Sequence, residues 1–182
     1  MLDFLKYRIE IESSGTSGGQ GKISRPETGE QVGASDEPPV GRWSRFLPQS
    51  FRQRQVEVRE FPEPALVFRI VWPARLLNAA TRVYDALDER MGYFSRTPHT
   101  PGDRFEIYLS RMVRLASVSG SCFDSEFSFV TGKGQHLARA SRPQPADGAW
   151  LVIMDDCLDH DPIIKMLLLA AVLVLALDNR EW

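Results

Sequence analysis

The stretch Leu158–Trp182 reads LDHDPIIKMLLLAAVLVLALDNREW, and within it Met166 to Leu177 run as twelve apolar residues with no polar break. Asp161-Pro162 predicts a helix start: an acidic N-cap, then proline at the first helical position. Asp159 adds negative charge near the positive end of the helix dipole. A helix from Pro162 to Asn179 is about 27 Å long at 1.5 Å per residue. It is apolar all round, so it belongs in a protein core or in lipid. Length decides between the two. A spanning helix wants about 20 apolar residues, whereas runs of about 10–14 are more often core helices. Lys165 breaks the extension toward Ile163 and Ile164, and Asp178 closes the other end.

The rest of the chain indicates what such a core would be. Short runs that alternate apolar with polar residues predict half-buried strands: YRIEI, RQVEVRE, RFEIYLS and EFSFVTG. WLVIM (Trp150 to Met154) is a last strand. A weak internal repeat links these runs. Val83–Gly92 and Phe129–Ala138 each show a strand end, a turn, then an apolar residue followed by a small one. Ser24–Gly33 and Ile107–Ala116 fit the same frame, and Val58–Val67 fits it loosely. Thr28-Gly29, Leu87-Asp88 and Gly132-Lys133-Gly134 are suitable turn residues. Five such hairpins and a last strand give about ten to twelve strands. An open sheet that wide curls or closes, and closure removes its exposed edges. A barrel of about twelve strands is too wide for side chains alone to fill. The apolar helix is the right length to plug it. The expected fold is therefore mainly β: a closed antiparallel barrel around a central C-terminal helix, one domain over residues 1–182. Burying a dozen such side chains contributes a gross hydrophobic term on the order of 20 kcal/mol. The Gly/Ser-rich stretch Ser13–Lys22 is expected to be a flexible loop.

Composition sets further bounds. The chain has 182 residues, 43% hydrophobic and 25% charged, with a formal net charge of −2. That balance argues against nucleic-acid binding by bulk charge. The start, MLDFLKYRIEIESSG, has no signal-peptide pattern. Cys122 and Cys157 make no disulfide framework, which suggests a reducing interior. Neither lies in a Cys-rich cluster of the palmitoylated kind, and no myristoylation pattern is present.

PETGEQVG (Pro26–Gly33), TRVYDALDERMGYFS (Thr81–Ser95) and LDHDPIIKMLLLAAVLVLALD (Leu158–Asp178) carry a resemblance. Hairpins of this kind, closing in an acidic segment and an apolar helix, resemble the phospholipid scramblase and LURP-one-related group, which shares the tubby-like fold. The chain looks like a compact, bacterial-type member. It lacks the Pro-rich tail and palmitoylated Cys cluster of the animal scramblases. The resemblance implies a non-enzymatic, membrane-associated, phospholipid-binding protein, cytoplasmic or peripheral at the inner face of the plasma membrane. A soluble LURP-one-like interaction barrel without lipid activity stands as the alternative, and a tail-anchored membrane protein as another.

Two segments hold candidate chemistry. In GRWSRFLPQSFRQR (Gly41–Arg54), Arg42, Arg45, Arg52 and Arg54 interleave with Trp43, Phe46 and Phe51. Guanidinium groups pair phosphates bidentately, and exposed aromatics enter a headgroup layer. Arg42, Trp43, Arg45, Phe46, Arg52 and Arg54 are the candidate contacts for anionic phospholipid. The competing reading is a crossover whose aromatics cover the barrel wall. In DDCLDHD, Asp155, Asp156, Asp159 and Asp161 offer oxygen ligands to Ca²⁺. The matching place in animal scramblases is a proposed calcium segment. Against this, the glycine and terminal glutamate of an EF-hand loop are missing, and acids before a helix are expected anyway.

No enzyme is expected. His99, His136 and His160 are scattered, and Ser119 and Ser121 lack a nucleophile elbow. No phosphate loop, dinucleotide fingerprint or zinc spacing appears. Nothing points to a particular protein partner, and a monomer is expected.

Overall fold

The computed structural model describes residues 1–12, 20–38, 53–73, 80–95, 103–120, 126–143 and 148–178. Twelve strands form one closed antiparallel barrel. The first six are β1 (Lys6–Glu12), β2 (Gln20–Ser24), β3 (Gln31–Asp36), β4 (Arg54–Glu60), β5 (Ala65–Trp72) and β6 (Thr81–Asp85). The second six are β7 (Arg90–Ser95), β8 (Asp103–Leu109), β9 (Arg114–Ser119), β10 (Glu126–Val130), β11 (His136–Ser141) and β12 (Trp150–Met154). Each strand pairs with its neighbours in sequence, and β1 pairs with β12 to close the wall. A single 3-10 turn, Asp156–Leu158, leads into the one α-helix, α1 (Pro162–Asp178).

The helix fills the barrel as the sequence predicts. Leu167 to Leu173 are fully buried, and Val174 to Leu177 are 1–6% exposed. They pack in one core with the inward side chains of the wall, among them Tyr7, Ile9, Phe68, Ile70, Phe94, Phe127, Phe129 and Trp150. An apolar helix enclosed in this way meets protein, not lipid, on every face. Among the described residues, no helix is long and apolar enough to cross a membrane. Burial inside the barrel leaves α1 no lipid-facing surface.

Asp161 starts the helix. Its carboxylate accepts from the Ile164 amide at 3.0 Å, and Pro162 follows at the position where a missing N–H costs nothing. Lys165, which breaks the apolar extension, is fully buried. Its ammonium donates to the Leu2 carbonyl at 2.8 Å and the Asp159 carbonyl at 3.0 Å. The Asp159 carboxylate stands 3.7 Å away. Tyr7 holds the same segment from below, donating to the Phe4 carbonyl at 2.7 Å and the Met1 carbonyl at 3.1 Å. Residues 1–5 are thereby fastened to the start of the helix.

The sequence repeat corresponds to five hairpins: β2–β3, β4–β5, β6–β7, β8–β9 and β10–β11. Each has a register shift close to its turn, at Ile23/Ser24, Val58/Arg59, Val83/Tyr84, Ile107/Tyr108 and Phe129/Val130. A bulge bends a strand and raises its twist, which is how a wide sheet curls shut. The small residue of the repeat lies opposite the inward apolar one: Gly33 faces Ile23, Gly92 faces Val83, Ala116 faces Ile107 and Ala138 faces Phe129. At Gly92 the reason is space. A Cβ there would collide with the Tyr108 carbonyl oxygen and come within 2.9 Å of Leu167 Cδ2 on the helix. The loosely fitting unit, Val58–Val67, is the one that places a large residue, Phe68, opposite Val58.

One boundary differs from the sequence reading. The Ser13–Lys22 stretch is not all loop, because β2 begins at Gln20 and its first residues pair with Glu12, Ile11 and Glu10. Pairing overrides the Gly/Ser composition there, and Gly21 leaves the room that Ser35 Oγ on β3 occupies.

Candidate functional site

Antiparallel order gives the barrel two unlike ends. The five bulged hairpins turn at one end, over residues 25–30, 61–64, 86–89, 110–113 and 131–135. Residues 1–5 and the 155–161 junction into α1 lie there too, since Lys6 pairs with Ile153. The longer connections join strand ends at the opposite end. Charge divides in the same way. The connections of the short-turn end, with residues 1–5, hold ten acidic and three basic side chains, whereas the connections at the opposite end, 13–19, 37–53, 73–80, 96–102, 120–125 and 142–149, hold three acidic and six basic. A chain with a small net charge thus carries a strong internal asymmetry.

The candidate phospholipid segment joins β3 to β4 at the more basic end. Arg42, Trp43, Arg45, Phe46 and Arg52 lie outside the described residues. Arg54 opens β4 and is already engaged: it pairs with Glu37, and its guanidinium stands 5.7 Å from the Trp72 ring centroid. Arg142 makes the corresponding contact across β11–β12, 4.4 Å over Trp150. Each arginine covers an inward-facing tryptophan at the mouth of the barrel, a cation–π contact that seals the core.

Three of the four candidate calcium ligands have local work, and Asp156 has none among the described residues. Asp155 accepts from the Cys157 amide at 3.0 Å and caps the 3-10 turn. Its hydrogen bond with the Cys157 thiol lowers the Asp155 pKa and raises that of the thiol. Asp161 caps α1, and Asp159 serves Lys165. Asp156 is exposed. Among the described residues, no group of three or more His, Cys, Asp or Glu side chains is close enough to hold a metal ion. His136 opens β11 and His160 precedes the helix, both exposed, and Ser119 ends β9. His99 and Ser121 lie outside the described residues.

Two features were not anticipated. The first is on the outer wall. Glu106 lies between the inward-facing Phe105 and Ile107, yet it is fully buried. Tyr108 donates to its carboxylate at 2.8 Å, and Arg114 pairs with it at 3.0 Å. The hydrogen bond to Glu106 raises the Tyr108 pKa. Tyr93 stacks parallel on Tyr108 with centroids 4.9 Å apart. The arginine and the tyrosine fasten this carboxylate into the wall. The second feature is apolar exposure at the short turns. Leu87 is 82% exposed, Met112 73% and Val113 56%. The sequence signal was there, an apolar residue at a turn tip, but strand alternation does not register it.

A shallow open groove crosses β2 and β3, lined by Gln20, Lys22, Gln31 and Asp36. It contains no converging polar set of the kind that fixes a small ligand.

Neither a protein-family model nor a curated protein matches the sequence. Among solved structures, the X-ray structure of a protein from Arabidopsis thaliana, AT5G01750, is similar over 97% of this chain and 92% of that one, with a TM-score of 0.60 and 15% identity. At that identity the likeness extends to the fold alone.

Proposed function

We propose that this protein is a non-enzymatic barrel that binds anionic phospholipid at a membrane surface, through the connection that carries Arg42, Arg45 and Arg52. The observation that carries the reading is the division of charge between the two ends. With α1 enclosed, membrane contact has to come from the outside of the barrel. The basic side chains are concentrated away from the acidic short turns, and the arginine-rich connection joins β3 to β4 on the basic side. The resemblance of the hairpins and the terminal helix to the scramblase group supports the same reading. Arg54 plays a structural part, since Glu37 and Trp72 already engage it. Three arginines near an anionic surface contribute at most about 1 kcal/mol each, so the association is weak and salt-sensitive.

Sedimentation with phosphatidylserine-containing vesicles tests this. Binding should fall steeply with salt, and the Arg42→Glu, Arg45→Glu, Arg52→Glu triple variant should lose it. Equal binding to neutral phosphatidylcholine vesicles, or an undiminished triple variant, would remove the proposal.

A further inference from the structure

Large apolar side chains exposed among the described residues are Phe61, Leu87, Met112, Val113, Ile153 and Ile163. Five of these six lie at the short-turn end; Ile153 is on the outer wall. Their placement follows from strand order. Leu87 tips the β6–β7 turn, and Met112 and Val113 tip the β8–β9 turn beside it, because β7 pairs with β8. Phe61 lies on the next turn round, because β5 pairs with β6. Ile163 is in the first turn of the helix that this rim encircles.

Single exposed apolar residues need no explanation, but a set gathered at one pole of a closed barrel does. These residues are not needed to close the core. Leu87 stands between Asp85, whose carboxylate accepts from the Leu87 and Glu89 amides, and Asp88, which pairs with Arg69. The polar residues therefore build the turn, and the leucine points away from it. Met112 occupies a left-handed backbone position, φ 61°, which methionine seldom adopts, and its side chain is left in water.

Charge selects the occupant. The rim around these residues is the acidic end of the molecule. Among the described residues Glu63 and Glu89 flank the apolar tips with no ion pair, and Asp155 and Asp156 stand exposed at the helix junction. Arg25, Arg111 and Lys133 on the turns, with Arg59 reaching the Pro64 carbonyl and Arg90 the Ser110 carbonyl, are the minority against ten acids. An anionic bilayer is repelled by this surface, whereas a cationic chain is steered toward it. We infer that the short-turn end is a docking surface for a basic amphipathic segment of a partner protein. Its apolar residues cover Leu87, Met112 and Val113, and its lysines or arginines meet Glu63 and Glu89. The barrel then has two working ends, one for the membrane and one for a protein. This inference stands independently of the lipid reading.

A labelled helical peptide of leucine and lysine serves as the probe, with its leucine–glutamate counterpart as control, read by fluorescence anisotropy on the full chain. The cationic peptide should bind and the anionic one should not. Leu87→Ser, Met112→Ser and Val113→Ser together should weaken binding at least tenfold, while Ile153→Ser on the wall leaves it unchanged. Glu63→Gln with Glu89→Gln should weaken it and flatten its salt dependence. Arg42→Glu, Arg45→Glu, Arg52→Glu should leave it intact, which separates this surface from the lipid contact. If the triple serine variant fails to fold, Leu87→Ser alone at its exposed tip gives the same comparison. Absence of cationic-peptide binding, indifference to the tip substitutions, or tips that govern vesicle binding instead would overturn the inference.

Discussion

The Lys165 ammonium and the Leu2 carbonyl, 163 positions apart in sequence, meet at 2.8 Å inside the short-turn end. A lysine with 0% of its surface exposed is uncommon unless its charge is answered. Here two carbonyls and the Asp159 carboxylate answer it. Lys165→Met removes the charge and leaves the Leu2 and Asp159 carbonyls without this donor. Urea unfolding should show a loss of about 1–3 kcal/mol with an unchanged m value. A neutral or stabilising result would mean that desolvation of the ammonium offsets all it gains.

Gly92 tests whether the small residues of the repeat exist to clear the helix. Gly92→Ala should destabilise toward the upper end of the roughly 1–3 kcal/mol seen for overpacked cores. Adding Leu167→Ala should not restore stability, because the Tyr108 carbonyl oxygen still blocks the new Cβ and a cavity opens at position 167. Full rescue by the double change would show that only the helix contact matters.

Tyr108 should ionise above the ordinary tyrosine range of about 10, because its hydroxyl must stay protonated to donate to Glu106. A raised folded-state pKa contributes stability that is complete below the unfolded value and is lost as pH rises through the folded one. The difference in tyrosinate absorbance between wild type and Tyr108→Phe isolates this residue from Tyr7, whose pKa burial also raises. An ordinary Tyr108 titration would contradict the bond.

Cys157 is exposed yet should react slowly with disulfide reagents, since its hydrogen bond to Asp155 raises the thiol pKa and thins the thiolate. In a Cys122→Ser background, Asp155→Ala should speed the reaction several-fold at neutral pH. An unchanged rate would show that Asp155 leaves the thiol alone.

Local signals in the sequence were enough for the architecture. Asp161-Pro162 marks the helix start within one residue, and the apolar run has the length of a barrel plug. The turn residues of the repeat fall on hairpins that share one end. What the sequence hid depends on partners far along the chain. Lys165 looks like an interruption until Leu2 folds back over it. Glu106 alternates as an outward residue, and pairing with Arg114 and Tyr108 accounts for its place in the wall. Arg54 resembles its neighbouring arginines, but Glu37 and Trp72 already engage it. The exposed tips were missed because strand periodicity describes the walls of a barrel and says nothing of its rim.

The closing order has a consequence for biosynthesis. The seam joins β1 to β12, and the plug follows β12, so eleven strands leave the ribosome before either can act. Until then their greasy faces have no cover, and the nascent sheet is exposed to aggregation. A chain cut short before Trp150 should require chaperone protection throughout, because β12 and the helix behind it supply both the seam and the plug.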